Sequence, residues 1–185
     1  MDDLPHVAEV DGRQSRHSRI RSCAAASILK IGIISDTHGL VRPEAIRSLR
    51  GVHHIIHAGD IGHPEVISEL SKIAPITAIR GNIDRGGWAS EYPHTALVKF
   101  GGRSIYVLHN LKELDFDPAV AGIDVVVSGH SHRPKIETVN GVLYLNPGSA
   151  GPRRFSLPIA LAMLELAGQA FRPSIHEVGV EPSQG

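Results

Sequence analysis

The chain has 185 residues, enough for one domain with a core of its own. Nineteen Lys and Arg balance nineteen Asp and Glu, and aromatics are only 4%, so neither a basic field nor a row of stacking rings marks a nucleic-acid polymer as partner. One cysteine excludes an internal disulfide and fits a reducing, cytoplasmic setting, and no apolar run approaches the roughly 20 residues of a membrane span.

Residues 1–28 mix acidic and basic residues without a sustained period, and are expected to form a disordered extension dispensable for folding and activity. A signal peptide is the rival reading. Against it, the apolar patch at Cys23–Leu29 is short, acidic residues precede it and Lys30 ends it. The domain proper is expected over residues 29–180, with 181–185 as a tail.

From Leu29 the pattern alternates. Ile31–Ile34 reads as a strand ending in Asp36 and His38. A helix follows, with Pro43 in its first turn and Ala45, Ile46 and Leu49 on one face. Ile55–Ile56 leads to Gly59-Asp60, and a second helix begins near Pro64 with Val66, Ile67 and Leu70 at helical spacing. Ile76–Ile79 leads to Gly81-Asn82. This strand–helix alternation implies parallel pairing. The second half is different. Residues 96–108 read as a hairpin around Gly101-Gly102, Val125–Val127 as a buried strand, and residues 136–145 as a hairpin around Asn140-Gly141. A last apolar run covers Ile159–Leu166. Such late hairpins imply an α/β fold with a mixed or second sheet.

Twelve histidines are unusual for this length, and their placement carries the chemistry. Five apolar runs each end in residues that can bind metal: Asp36 and His38, Asp60, Asn82, His109, and His130 with His132. Open α/β sheets bind ligands beyond the carboxyl ends of their strands, where such residues would converge. Singly the signals are weak. Asp-x-His is common, Gly-Asp and Gly-Asn are ordinary turn pairs, and His109 reads as readily as a structural histidine. Gly129-His130-Ser131-His132 is more specific. Imidazole with carboxylate and no thiolate suits Mn, Fe, Co, Ni or Zn. Seven donors exceed one tetrahedral zinc and suit two ions sharing a carboxylate.

This ordered set resembles the calcineurin-like metallophosphoesterases, closest to their small bacterial and archaeal phosphodiesterases, over residues 29 to about 180. Asn146-Pro147-Gly148-Ser149, with arginines soon after, also looks like a family segment. The resemblance implies a four-layer αββα sandwich with two mixed β-sheets. It implies two divalent ions, manganese foremost. One would be held by Asp36, His38 and His132, the other by Asn82, His109 and His130, with Asp60 bridging. It further implies in-line attack by a metal-bound hydroxide on a small phosphodiester. Asp60, Asn82 and Asp84 are the expected catalytic residues. Many family members have His directly after the Asn and use it as the acid; here Ile83 stands there, followed by Asp84, which either substitutes or caps the turn.

His53, His54, His57 and His63, with Arg80, Arg85, Arg153 and Arg154, carry structural or surface readings, although the arginines could meet a phosphate. Two other functions are open to the same fold. One is a non-catalytic scaffold of the retromer-subunit type. The other is a phosphomonoesterase or nucleotide pyrophosphatase. A homodimer is left open.

Overall fold

A computed structural model describes residues 28–154 and 156–179. The expected extension, apart from Ile28, and the tail at 181–185 lie outside the described residues.

Among the described residues, ten strands form two five-stranded sheets. The first contains β1 (Leu29–Ile34), β2 (His54–Ala58), β3 (Ile76–Ile79), β9 (Ala160–Ala167) and β10 (Ala170–Glu177), in the order β10-β9-β1-β2-β3. β1, β2 and β3 are parallel; β9 runs antiparallel to β1, and β10 antiparallel to β9. The second contains β4 (Thr95–Phe100), β5 (Arg103–Leu108), β6 (Val125–Val127), β7 (Lys135–Val139) and β8 (Val142–Asn146), in the order β4-β5-β6-β8-β7. Its three central strands β5, β6 and β8 are parallel, and both expected hairpins flank them. The architecture is the expected sandwich with two mixed sheets.

Side-chain alternation assigns each strand residue to a layer. Ile31, Ile33, Ile56, Ile105, Val107 and Val125 point between the sheets and are fully buried. Each such side chain contributes about 1.5–3 kcal/mol of transfer free energy. The opposite set, with Ile34, Ile55 and Leu161, meets helices α1 (Pro43–Leu49) and α2 (Pro64–Ser71). Both helices open on proline, whose fixed φ suits the first turn. Beyond the second sheet the outer layer is built by the 110–124 connection, which packs Leu114 and Ile123 on Tyr106, Val126 and Tyr144. Its regular part is the 3₁₀ turn Leu111–Glu113.

β10 is absent from the expectation. Pro173 interrupts its pattern, and proline is tolerated there because β10 is an edge strand paired only with β9 among the described residues. No helix among the described residues is long and apolar enough to cross a membrane.

Candidate metal centre

The carboxyl ends of β1, β2, β3, β5 and β6 carry all seven candidate donors, and the loops there are knitted together. Asp36 N–H donates to Gly59 O and His38 N–H to Asp60 O, so pairing of β1 with β2 continues into both loops. Gly129 N–H donates to His109 O, which ties the ends of β5 and β6.

Six non-glycine residues among those described have positive φ, and five are candidate donors: Asp36 (54°), His38 (47°), Asp60 (52°), His130 (65°) and His132 (56°). The left-handed region costs such residues about 1–3 kcal/mol each, so the surrounding contacts must hold them there. Two glycines make this packing feasible. A Cβ at Gly81 would fall on Asp60 Oδ1, and one at Gly129 on Ser35 Oγ.

The donors form two groups around Asp60. In the first, His132 Nε2 lies 3.2 Å from Asp36 Oδ1 and 3.4 Å from His38 Nε2, which is 4.0 Å from Asp60 Oδ2. In the second, Asn82 Oδ1 lies 3.1 Å from both His109 Nε2 and His130 Nδ1, and His109 Nε2 is 3.3 Å from Asp60 Oδ1. One oxygen of Asp60 therefore faces each group. His109 Nδ1 is 2.8 Å from Ala58 O. A carbonyl only accepts, so Nδ1 carries the proton and Nε2 is turned into the cluster.

The donor set fits cations. Asp36 is fully buried; its Oδ2 accepts from Ser35 Oγ (2.7 Å) and His130 N–H (3.1 Å), yet Oδ1 accepts no hydrogen bond, the 3.2 Å approach of His132 Nε2 lacking the alignment of one. A buried carboxylate oxygen left so costs several kcal/mol unless a cation meets it. Asp36, His38 and His132 present atoms within 4.8 Å of one another, as do Asp36, Asp60 and His109.

Protonation follows the same geometry. Burial lowers the pKa of His38, helped by Arg154 and His132 and opposed by Asp60 and Asp36. Burial would also lower that of His109, but the Asp60 and Ala58 hydrogen bonds and the charges of Asp60 and Asp36 outweigh it and raise it. For Asp60, burial pushes upward, and His109, Ile83 N–H and His38 reverse the direction. A bound divalent ion would compete with protons for these imidazoles.

Three further side chains, given no role at the centre by the sequence reading, support the cluster. His57 is fully buried beneath the loops. Thr37 Oγ1 donates to Ile61 O (2.9 Å), so at its 2.9 Å contact with His57 it accepts, and Nε2 carries the ring proton. His57 Nδ1 then accepts from Gly59 N–H (3.3 Å). Both ring nitrogens are satisfied in the neutral form, and burial lowers the pKa to about 4. Asn146 Nδ2 donates to Gly129 O (2.6 Å), and Ser149 Oγ donates to Asp36 O (2.9 Å), so the Asn146–Ser149 segment fastens a loop from each sheet. Asp84 is held as a cap. Its carboxylate is buried and accepts from Ile61, Gly62 and Gly81 N–H at 3.0, 2.7 and 2.8 Å. Those bonds join the Asp60 and Asn82 loops, so Asp84 stands where the capping alternative puts it, accepting through both carboxylate oxygens. Ile83 has no proton to give, and the exposed His63 pairs with Glu65.

The calcineurin-like phosphoesterase superfamily domain matches residues 29–169. The chain belongs to that superfamily. It is 32% identical over 161 residues to a probable metallophosphoesterase of Methanothermobacter thermautotrophicus, covering 80% of this chain and 92% of that one. A solved structure of an archaeal phosphodiesterase superposes with a TM-score of 0.67 at 26% identity, covering 80% of this chain and all of that one. Vacuolar protein sorting 29 from Cryptosporidium parvum shares the fold, with a TM-score of 0.66 at 18% identity over 81% and 97% of the two chains. The superfamily is one of metal-dependent hydrolases of phosphate esters, and the donor clusters suit that class.

Proposed function

We propose that the protein is a cytoplasmic phosphodiesterase with a dinuclear centre. Asp36, His38 and His132 would hold one ion, Asn82, His109 and His130 the other, and Asp60 both. The observation that carries this reading is the division of the Asp60 carboxylate, Oδ2 toward His38 and Oδ1 toward His109. Bound divalent ions, manganese first and Fe, Ni, Co or Zn as alternatives, would supply Lewis acidity to the phosphoryl oxygens and a lowered water pKa. The chain's own contribution is orientation. Ala58 O keeps His109 in one tautomer, Ser35 and His130 N–H aim the Asp36 carboxylate, and Asp84 locks the Asp60 and Asn82 loops together. Arg154 lies 3.5 Å from His38 Nε2 and adds positive charge for an anionic ester.

A preference for good leaving groups follows from Ile83. An exposed apolar side chain stands there, where the family resemblance puts the proton donor, so esters whose leaving oxygen needs no proton are favoured. A panel of aryl phosphodiesters, alkyl diesters, monoesters and nucleoside diphosphates, each with Mn²⁺, Fe²⁺, Ni²⁺, Co²⁺ or Zn²⁺ in turn, tests the assignment. Turnover is expected to be highest on the aryl diesters. Faster monoester or pyrophosphate turnover would replace the diester assignment, and no turnover with any of the five metals would favour a scaffold role.

A further inference from the structure

A second concave site lies beside the candidate centre. It is a cleft of about 520 Å³ over the carboxyl end of the second sheet, within the roughly 300–1,000 Å³ typical of small-molecule sites. The 3₁₀ turn Leu111–Glu113 forms one wall, and the facing ends of β7 and β8 form the other. His130 belongs to both sites: it lines the cleft and contacts Asn82 in the cluster.

We propose that this cleft is an ester-group subsite that takes a flat aromatic substituent of a phosphodiester. The inference deepens the proposed function and rests on it. The lining is mainly apolar, with Leu111, Pro134 and Tyr144 available to the faces of a ring. Leu111 is 41% exposed, so it is a cleft wall more than a core residue. Glu137 is paired with Lys135 at 2.5 Å, which leaves Lys112 and Arg133 to set a positive rim suited to an anionic ester. Ser131 supplies a directed donor. Its Oγ accepts from Asn146 Nδ2 (3.2 Å) and Arg133 N–H (3.3 Å), so its own hydrogen is free for an acceptor on the ring. An apolar slot with one directed donor and a cationic rim fits an aryl group or a nucleobase better than an alkyl chain.

Calorimetric titration of the Mn²⁺-loaded protein tests this without relying on turnover. Thymidine 5′-monophosphate, phenyl phosphate and ribose 5-phosphate share the phosphate and differ in the ring. The two aromatic ligands should bind at least tenfold more tightly than the sugar phosphate. Leu111→Trp fills the cleft from its exposed wall and should bring all three within about twofold. Thymidine monophosphate bound more tightly than phenyl phosphate assigns a nucleobase, and equality assigns any aryl ester. No aromatic advantage in the wild-type protein, or one that survives Leu111→Trp, overturns the subsite even if aryl diesters are hydrolysed. An advantage removed by Leu111→Trp in a protein that hydrolyses no ester upholds the cleft and overturns the phosphodiesterase reading instead.

Discussion

The two halves of the candidate centre are built to different standards. Around Asp36 and His132 the donors are buried, at 0% and 7% exposure, and Asp36 Oδ1 has no hydrogen-bonding partner. Around Asn82 and His130 both donors are exposed, and only His109 is buried. The first half buries a carboxylate oxygen that accepts no hydrogen bond, a cost that a cation would relieve. The second combines a neutral amide with a histidine open to water and pays little when empty. A tightly held ion and an exchangeable one are the expected result.

The largest effect should come from removing what the halves share. Asp60→Asn is expected to lower turnover by more than about a hundredfold and to reduce both ions in elemental analysis. Two retained ions with normal turnover would sink the bridging role. Next comes the test of the asymmetry itself. Asp36→Asn should remove one ion outright, whereas Asn82→Ala should weaken the second only about tenfold and be rescued by excess Mn²⁺. Equal losses in both variants, read by metal titration, would erase the distinction. A smaller and more selective change is expected at the open half. Ile83→His should raise turnover of poor leaving groups by about tenfold while leaving nitrophenyl diesters nearly unaffected, and equal effects on both would count against a missing acid.

The smallest effect is a slope. The folded pKa of His57 is about 4, below its ordinary 6.5, so the unfolded chain binds more protons between those values. The contribution of His57 is full above pH 6.5 and is lost as pH falls toward 4. Denaturant titrations of the chelated protein should therefore show wild-type stability falling more steeply across that window than in His57→Gln. Parallel curves would refute it.

Much of this was legible in the sequence because it was local. Runs such as Ile31–Ile34 and turns such as Asn140-Gly141 carry their own pattern, and each donor stands directly after a strand. What was illegible depended on partners distant in the chain. The role of Asp84 is set by three N–H groups, two of them on the Asp60 loop, and nothing beside Asp84 separates an acid from an anchor. His57 looked like any strand histidine because its neutral form is dictated by Thr37 and Ile61. β10 was hidden by Pro173, whose tolerance depends on an edge that only the assembled sheet defines.

The late arrival of β9 has a consequence for how the chain becomes active. Ile31, near the beginning of the domain, is paired with Leu164, near its end. Until that partner has been synthesised, β1 keeps one open edge, and the loop bearing Asp36 lacks the Ser149 bond that fastens it. Pairings of such long range are slow to form and leave sticky intermediates meanwhile. All seven donors lie before residue 133, so a nascent chain stopped at that point would own every one of them and still have no site. Competence therefore arrives late and all at once, and a fragment that keeps the whole donor set should behave as an aggregation-prone precursor rather than a weak enzyme.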